Sequence, residues 1–193
     1  MIGLHYVLLS ALSVEPRSGY ALAQWLERAA RHYWAADSSS IYPALAALER
    51  AALVVHTTEP SVRGPRRKVY ALTPAGEDAL RAWAAGPVAA PEVRDELMVK
   101  ALCYDLLPPA QAAVLLRAAR AVHAEKLERY EDILRFLSER ERAGDPAYQR
   151  IGPRLTLLHG VQVEAGYVAW CDEAIALLTS PDGGRALAQT SGA

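Results

Sequence analysis

The sequence predicts a mainly α-helical chain with one small β-hairpin, in an N-terminal mixed unit and a C-terminal helical unit. Three observations predict it. Apolar residues recur at helical spacing over most of the 193 residues. The period switches to strand-like once, in the seven-residue runs "LVVHTTE" and "RRKVYAL", joined by the Pro/Gly turn "PSVRGP". Finally, "GPVAAPEV" has no periodicity and divides the chain.

Composition narrows the class. The chain is 52% hydrophobic and 22% charged, ordinary for a globular protein with a sizeable core. No apolar run approaches a membrane span, and the apolar start lacks the basic n-region of a signal peptide, so a cytoplasmic location is expected. Cys103 and Cys171 lie in apolar helical contexts and are expected as buried free thiols; no CxxC suggests zinc. The net charge of −1 hides an asymmetry. Residues 1–72 carry eight basic and five acidic side chains, +3; residues 73–193 carry thirteen and seventeen, −4. Positive charge confined to one part keeps nucleic acid open as a partner.

Each element has its own signature. Leu4, Val7, Leu8, Ala11 and Leu12 make one face of a first helix, stopped at "VEPRSG". "GYALAQWLERAARHYW" gives a second, with Ala21, Leu22, Trp25, Leu26 and Ala29 on one face. A third follows in "DSSSIYPALAALERAALV", with the stripe Ile41, Leu45, Leu48 and Ala52, Ser39 or Ser40 as N-cap, and Pro43 in the first turn. After the hairpin, Thr73 caps a fourth helix with Pro74 at its first position. Beyond the boundary, "RDELMVKALCYDLL" reads as one short helix ended by Pro108-Pro109. A helix of about thirty residues runs to Glu141, with His123, Leu127, Tyr130, Leu134 and Leu137 as a coiled-coil-like seam. The last helix runs to about Leu178, with Leu158, Val161, Ala165, Val168, Asp172 and Ile175 in the same spacing. The expected divisions are 1–86, 87–180 and a flexible tail, 181–193.

Three helices and then a hairpin is the order of a winged helix-turn-helix, whose recognition helix meets bases with its N-terminal residues. That assignment explains the mouth of the third helix. Tyr42 lies off the apolar stripe, beside Ser38, Ser39 and Ser40. Hydroxyls there can bond phosphates or base edges, and a tyrosine ring can pack on sugar or a thymine methyl. The plainer alternative is a tyrosine packed on the neighbouring helix. The hairpin tip carries Arg63, Arg66, Arg67 and Lys68 without an acid, suited to a DNA backbone or minor groove, or simply to solvent. No catalytic motif appears: the five histidines are dispersed, and HExxH, GxSxG, P-loop and GxGxxG are absent. Neither a cofactor nor a metal site is expected.

The strings "SGYALAQWL", "SSSIYPALAALERAALV", "GPRRKVYALTPAGEDAL", "RDELMVKALCYDLL" and "VAWCDEAIALL" together resemble the PadR family of bacterial transcriptional regulators, over nearly the whole chain. The resemblance implies a winged-helix repressor, dimeric through C-terminal helices, binding double-stranded DNA through Tyr42, the serines before it and the basic wing. It also implies effectors that are small aromatic acids or hydrophobic molecules, held between the two parts. A pocket of that kind needs apolar walls and a few polar groups; His32, Tyr33, Trp34, Tyr167 and Trp170 are the candidates. Trp25 and Trp83 fit core faces instead. The functional expectation is a homodimeric, ligand-responsive repressor on an inverted-repeat operator. The alternatives are a winged-helix protein-interaction module and a thiol-responsive regulator using Cys103 and Cys171.

Overall fold

A computed structural model describes residues 2–27, 34, 37–61, 64–88, 94–145 and 148–180. Two compact units emerge, Met1–Ala90 and Pro91–Ala193. The tail expected at 181–193 lies outside the described residues.

The first unit contains α1 (Ile2–Leu12), β1 (Arg17–Ser18), α2 (Gly19–Trp25), α3 (Ser38–Arg50), β2 (Val54–Ser61), β3 (Gly64–Leu72) and α4 (Pro74–Ala84). Its core is built by the predicted stripes: Val7, Leu8, Ala11 and Leu12 of α1, Leu22 of α2, and Ile41, Leu45 and Leu48 of α3 are all buried, and Leu9, not expected there, joins them. Each such side chain taken out of water contributes about 1.5–3 kcal/mol. The sheet is antiparallel, in the order β1-β3-β2. Its hairpin runs further than predicted, with Val54 opposite Leu72 and Glu59 opposite Arg67. The register slips between Glu59 and Ser61, where Pro60 has no N–H to give the ladder. β1 was not expected. It forms at the predicted break because Arg17 and Ser18 pair with Tyr70 and Val69, a contact that local periodicity cannot show.

The boundaries of α2 and α3 need correction. α2 spans Gly19–Trp25, capped by Ser18, which accepts from the Ala21 amide; Trp34, expected at the helix end, is not helical, and residues 28–33 lie outside the described residues. The N-cap of α3 is Asp37, not Ser39 or Ser40. Serines and aspartate compete for this role, and here Ser40 instead donates its hydroxyl to the Asp37 carbonyl at 2.6 Å. Pro43 therefore stands inside the helix, past the first turn, and has no N–H for the Ser39 carbonyl. Ala52 leaves the stripe altogether. It is exposed at φ 56°, as the left-handed residue of a Schellman closure in which the Leu53 amide bonds Leu48 O and the Ala52 amide bonds Glu49 O.

At the start of α4, Thr73 accepts from the Gly76 amide, and Pro74 occupies the first turn. Thr73 also ties the two sides together, donating its hydroxyl to Ala52 O at 2.7 Å and its amide to Leu53 O at 3.2 Å. Trp83 does not enter the core as expected: it is 48% exposed and stacks on Tyr6, with ring centroids 4.5 Å apart.

The second unit contains α5 (Glu96–Ala101), a 3-10 turn (Tyr104–Leu106), α6 (Pro109–Arg142) and α7 (Ile151–Thr179). The single helix expected before Pro108 is thus split. Cys103, expected buried, is exposed at the split, whereas Cys171 is buried; both are free. The 34-residue α6 packs on α7 in antiparallel fashion, with Arg120 holding Asp172 bidentately at 2.6 and 3.0 Å. The predicted seam of α6 is half-buried there. On α7 the expected seam is met in part: Val161, Ala165, Val168 and Ile175 are half-buried, but the deepest face lies one residue earlier. Leu157, Gly160, Glu164 and Cys171 are buried, while Leu158 and Asp172 are exposed. Apolar residues lie on more than one face of α7, so spacing alone could not choose between them.

Candidate nucleic-acid interface

The face of α3 opposite the core carries Ser39, Tyr42, Pro43, Ala46 and Arg50, all exposed. The spacing follows from the helix: with Ile41, Ala44, Leu45 and Leu48 fixed inward, positions 39, 42, 46 and 50 must face out. Ser40 is half-exposed; the side chain of Ser38 lies outside the described residues. Asp37 makes no side-chain cap bond; of the first amides of α3, that of Ser40 already bonds the Asp37 carbonyl at 2.9 Å, which leaves the two before it for another acceptor. Its own carboxylate opposes an anion there, which leaves the hydroxyls and the tyrosine as the principal groups on offer.

Tyr42 is 58% exposed, yet one edge of its ring lies against Gly19, the first residue of α2. The plainer sequence reading, a tyrosine packed on the neighbouring helix, thus describes one edge of the ring. Next to Gly19, Tyr20 is 68% exposed and accepts from Gln24 Nε2 at 2.9 Å. Arg50 and Tyr20 were missed from sequence. The signal for Arg50 was available: it stands four and eight residues beyond Ala46 and Tyr42 on one helical face. Tyr20 gave no such signal.

Behind this face, the base of the wing is braced on α3. His56 Nδ1 of β2 pairs with Glu49 Oε1 near the end of α3, and the His56 ring lies 5.7 Å from that of Tyr70. The Tyr70 hydroxyl is pushed above its ordinary range, first by burial and then by the charges of Glu49 and Tyr42.

On the wing itself, Arg66, Arg67 and Lys68 are exposed, and Arg63 lies outside the described residues. The three are not equivalent. Successive strand residues point to opposite faces, so Arg66 and Lys68 share one face of β3 and Arg67 takes the other. Arg67 also holds Glu59 across the ladder at 3.0 Å, which offsets its charge.

Of the described effector candidates, Trp34 belongs to the first unit and Tyr167 and Trp170 to the second. His32 and Tyr33 lie outside the described residues. Trp34 packs on the first unit's core with its ring tip over Gly3, so packing alone accounts for it. Trp170 packs similarly on the second unit's core, around Tyr104, Ala112, Leu116 and Cys171. Tyr167 has more polar surroundings. Its ring stacks on His123 at 4.1 Å, and its hydroxyl donates to Asp95 Oδ2. That bond holds the Asp95 carboxyl below its usual range and, with burial, pushes Tyr167 up to about 12. His123 Nδ1 in turn meets the buried Glu164 at 2.5 Å, with Lys126 Nζ 3.7 Å from the same carboxylate. These partners are 41 and 72 residues apart in sequence, and no short motif announces them. Among the described residues, no group of three or more His, Cys, Asp or Glu could hold a metal ion. No described helix is long and apolar enough to cross a membrane.

Different known families match the two parts of the chain. Residues 8–82 match the transcriptional regulator PadR-like family, and residues 93–179 match the C-terminal region of virulence activator alpha. The probable transcriptional regulator Rv1176c of Mycobacterium tuberculosis is 25% identical over 185 residues, covering 89% of this chain and 95% of its own. Bacillus subtilis PadR in complex with operator DNA superposes with a TM-score of 0.82 at 26% identity, over 92% of this chain and 98% of that one. The same B. subtilis protein in complex with p-coumaric acid gives 0.72 at 25% identity, over 92% and 99%.

Proposed function

We propose that the chain, whose residues 8–82 match the PadR-like family of transcriptional regulators, is a homodimeric, effector-responsive repressor of an inverted-repeat operator. The observation that carries the reading is the exposed row Ser39, Tyr42, Ala46 and Arg50 on α3, in one unit with a basic hairpin. In this reading α3 enters the major groove. Ser38, Ser39, Ser40 and Tyr42 meet bases or phosphates at its mouth, Arg50 follows at its far end, and Arg66 and Lys68 follow the backbone with Arg63 and Arg67 near them.

A dimer supplies two such heads. The outward surfaces of α6 and α7 favour it: Phe136, Ile151, Leu155 and Leu158 are 44%, 63%, 57% and 39% exposed on helices already packed together. An obligate partner covering them would bury well over ~1,000 Å². Half-sites then lie roughly 34 Å apart, one turn of DNA.

The effector belongs to the small aromatic or hydrophobic class, the class of the p-coumaric acid in the B. subtilis complex. Tyr167, whose surroundings are polar, is the described aromatic retained as its candidate contact. An effector acts by binding one arrangement of the dimer more tightly than the other. Activation is the second reading, favoured by the match of residues 93–179 to a virulence activator.

The test is fluorescence anisotropy with a duplex selected from a random pool by the protein itself. Saturable binding of two half-sites per dimer, lost on adding phenolic acids, is the expected result. A protein that selects no sequence, or stays monomeric at micromolar concentration, overturns the proposal. Transcription in vitro from the selected site distinguishes repression from activation.

A further inference from the structure

We propose that Gly19 is the seat that aims Tyr42, so that the entrance of α2 sets the geometry of the DNA contact made by α3. The inference rests on the reading that Tyr42 touches DNA.

A Cβ on Gly19 would stand 2.6 Å from Tyr42 Cε1, 3.1 Å from Cζ and 3.3 Å from Cδ1. Those three atoms are one edge of the phenol ring, so the ring rests directly on the glycine backbone. Backbone conformation does not demand glycine here: φ of Gly19 is outside the left-handed region, which among the described glycines holds only Gly144. Gly19 follows the cap residue Ser18, whose Oγ accepts from Ala21 N at 3.2 Å, and any residue adopts that first helical position. What the site excludes is a side chain, and the atoms it would meet belong to Tyr42.

The other end of Tyr42 is equally fixed. Its neighbours Ile41, Ala44 and Leu45 are buried in the core, so the helix cannot turn to relieve a clash. A helical tyrosine has two favoured χ1 settings, both leaning toward the N-terminus. Contact with Gly19 selects one of them, and the ring is held on one edge while 58% of the residue stays exposed. A side chain ordered before binding loses less entropy on meeting DNA, which raises affinity without adding a contact.

Gly19→Ala therefore changes the direction of Tyr42 without changing its chemistry. The experiment compares the parent, Gly19→Ala, Tyr42→Ala and the double variant by anisotropy on the selected duplex at one salt concentration. DNA-free NMR spectra of the tyrosine rings accompany it, including the Gly19 Hα to Tyr42 ring cross-peak. The expected result is that Gly19→Ala weakens binding by about tenfold, of the order of losing a specific contact. It causes no further loss in the Tyr42→Ala background, where no ring remains to be displaced. Equal losses in both backgrounds overturn the proposal, because Gly19 would then act without Tyr42. Absence of the cross-peak in the parent overturns it too, even if Gly19→Ala fails to fold. If Tyr42→Ala binds as the parent does, the DNA contact itself is wrong, and the cross-peak still reports whether the seat exists.

Discussion

The wing makes the most quantitative prediction. If all three described cations lay on phosphates, neutralising each would flatten the salt dependence equally. Alternation along β3 argues otherwise: Arg66 and Lys68 share a face, and Arg67 faces away with Glu59 3.0 Å from it. Each phosphate contact contributes a slope of about 0.9 in log affinity against log salt. The variant Arg66→Ala/Lys68→Ala should therefore lose about 1.8 units of slope. Between about 50 and 200 mM salt, a factor of 0.6 in the logarithm, its affinity should fall by roughly one decade less than the parent's. Arg67→Ala should change the slope by less than about half a unit, because its charge is already offset by Glu59. Such exposed pairs are worth only about 0–1 kcal/mol, so folding should be little affected. The assay is anisotropy at four salt concentrations with operator and scrambled duplexes, since a backbone contact weakens both alike. An unchanged slope in the double variant refutes the backbone role of the wing. An equal effect from Arg67→Ala refutes the division of labour between its faces.

Three further outcomes concern the scaffold. Gly76→Ala should destabilise the first unit by about 3 kcal/mol or more in urea unfolding, because its Cβ would lie 2.0 Å from the Leu53 carbonyl oxygen, a backbone atom that moves only with the hairpin. Ala52→Gly should stabilise by about 0.5–1 kcal/mol and leave DNA affinity unchanged. At φ 56° the alanine costs about 1–2 kcal/mol, of which glycine's freedom in the unfolded chain takes back part. Tyr167→Phe should cost about 1–2 kcal/mol near neutral pH by removing the hydrogen bond to the Asp95 carboxylate. Asp95 is lowered from 3.8, so its contribution is present above that value and lost as pH falls through the folded pKa. Tyr167 is raised from 10.0 to about 12, so its contribution is intact below 10 and lost as pH rises toward 12. Urea midpoints against pH for parent and variant should differ by a constant amount between those limits and converge beyond them; a difference independent of pH throughout contradicts the assignment.

What could be read from the sequence was local. The stripes of α1 and α3, the hairpin, and the Thr73-Pro74 start of α4 each repeat a short-range rule, and the structure contains them. The misses have different causes. β1 forms only against β3; the residue that Tyr42 meets on the neighbouring helix, Gly19, stands twenty-three residues away and no local rule names it; and the face of α7 was misjudged because more than one of its faces is apolar. The start of α3 lies two or three residues earlier than expected, at Asp37, so Pro43 falls inside the helix.

The two glycines in the most distinctive strings show how such long-range demands leave a trace. Gly19 in "SGYALAQWL" and Gly76 in "TPAGEDAL" both lie at the first turn of a helix, where a helix former would ordinarily do better. Neither has a left-handed φ to excuse it. Each is explained by a distant neighbour: the Tyr42 ring in one case, the Leu53 carbonyl in the other. A glycine that costs helix stability and gains no turn marks a close approach whose partner the sequence does not name. At Gly76 that approach joins the helix to the wing, and at Gly19 it joins the two helices at the proposed DNA surface. Replacing either should therefore affect different properties. Gly76→Ala should lower stability, whereas Gly19→Ala should lower DNA affinity more than it lowers stability, because a half-exposed ring can move aside and a backbone carbonyl cannot.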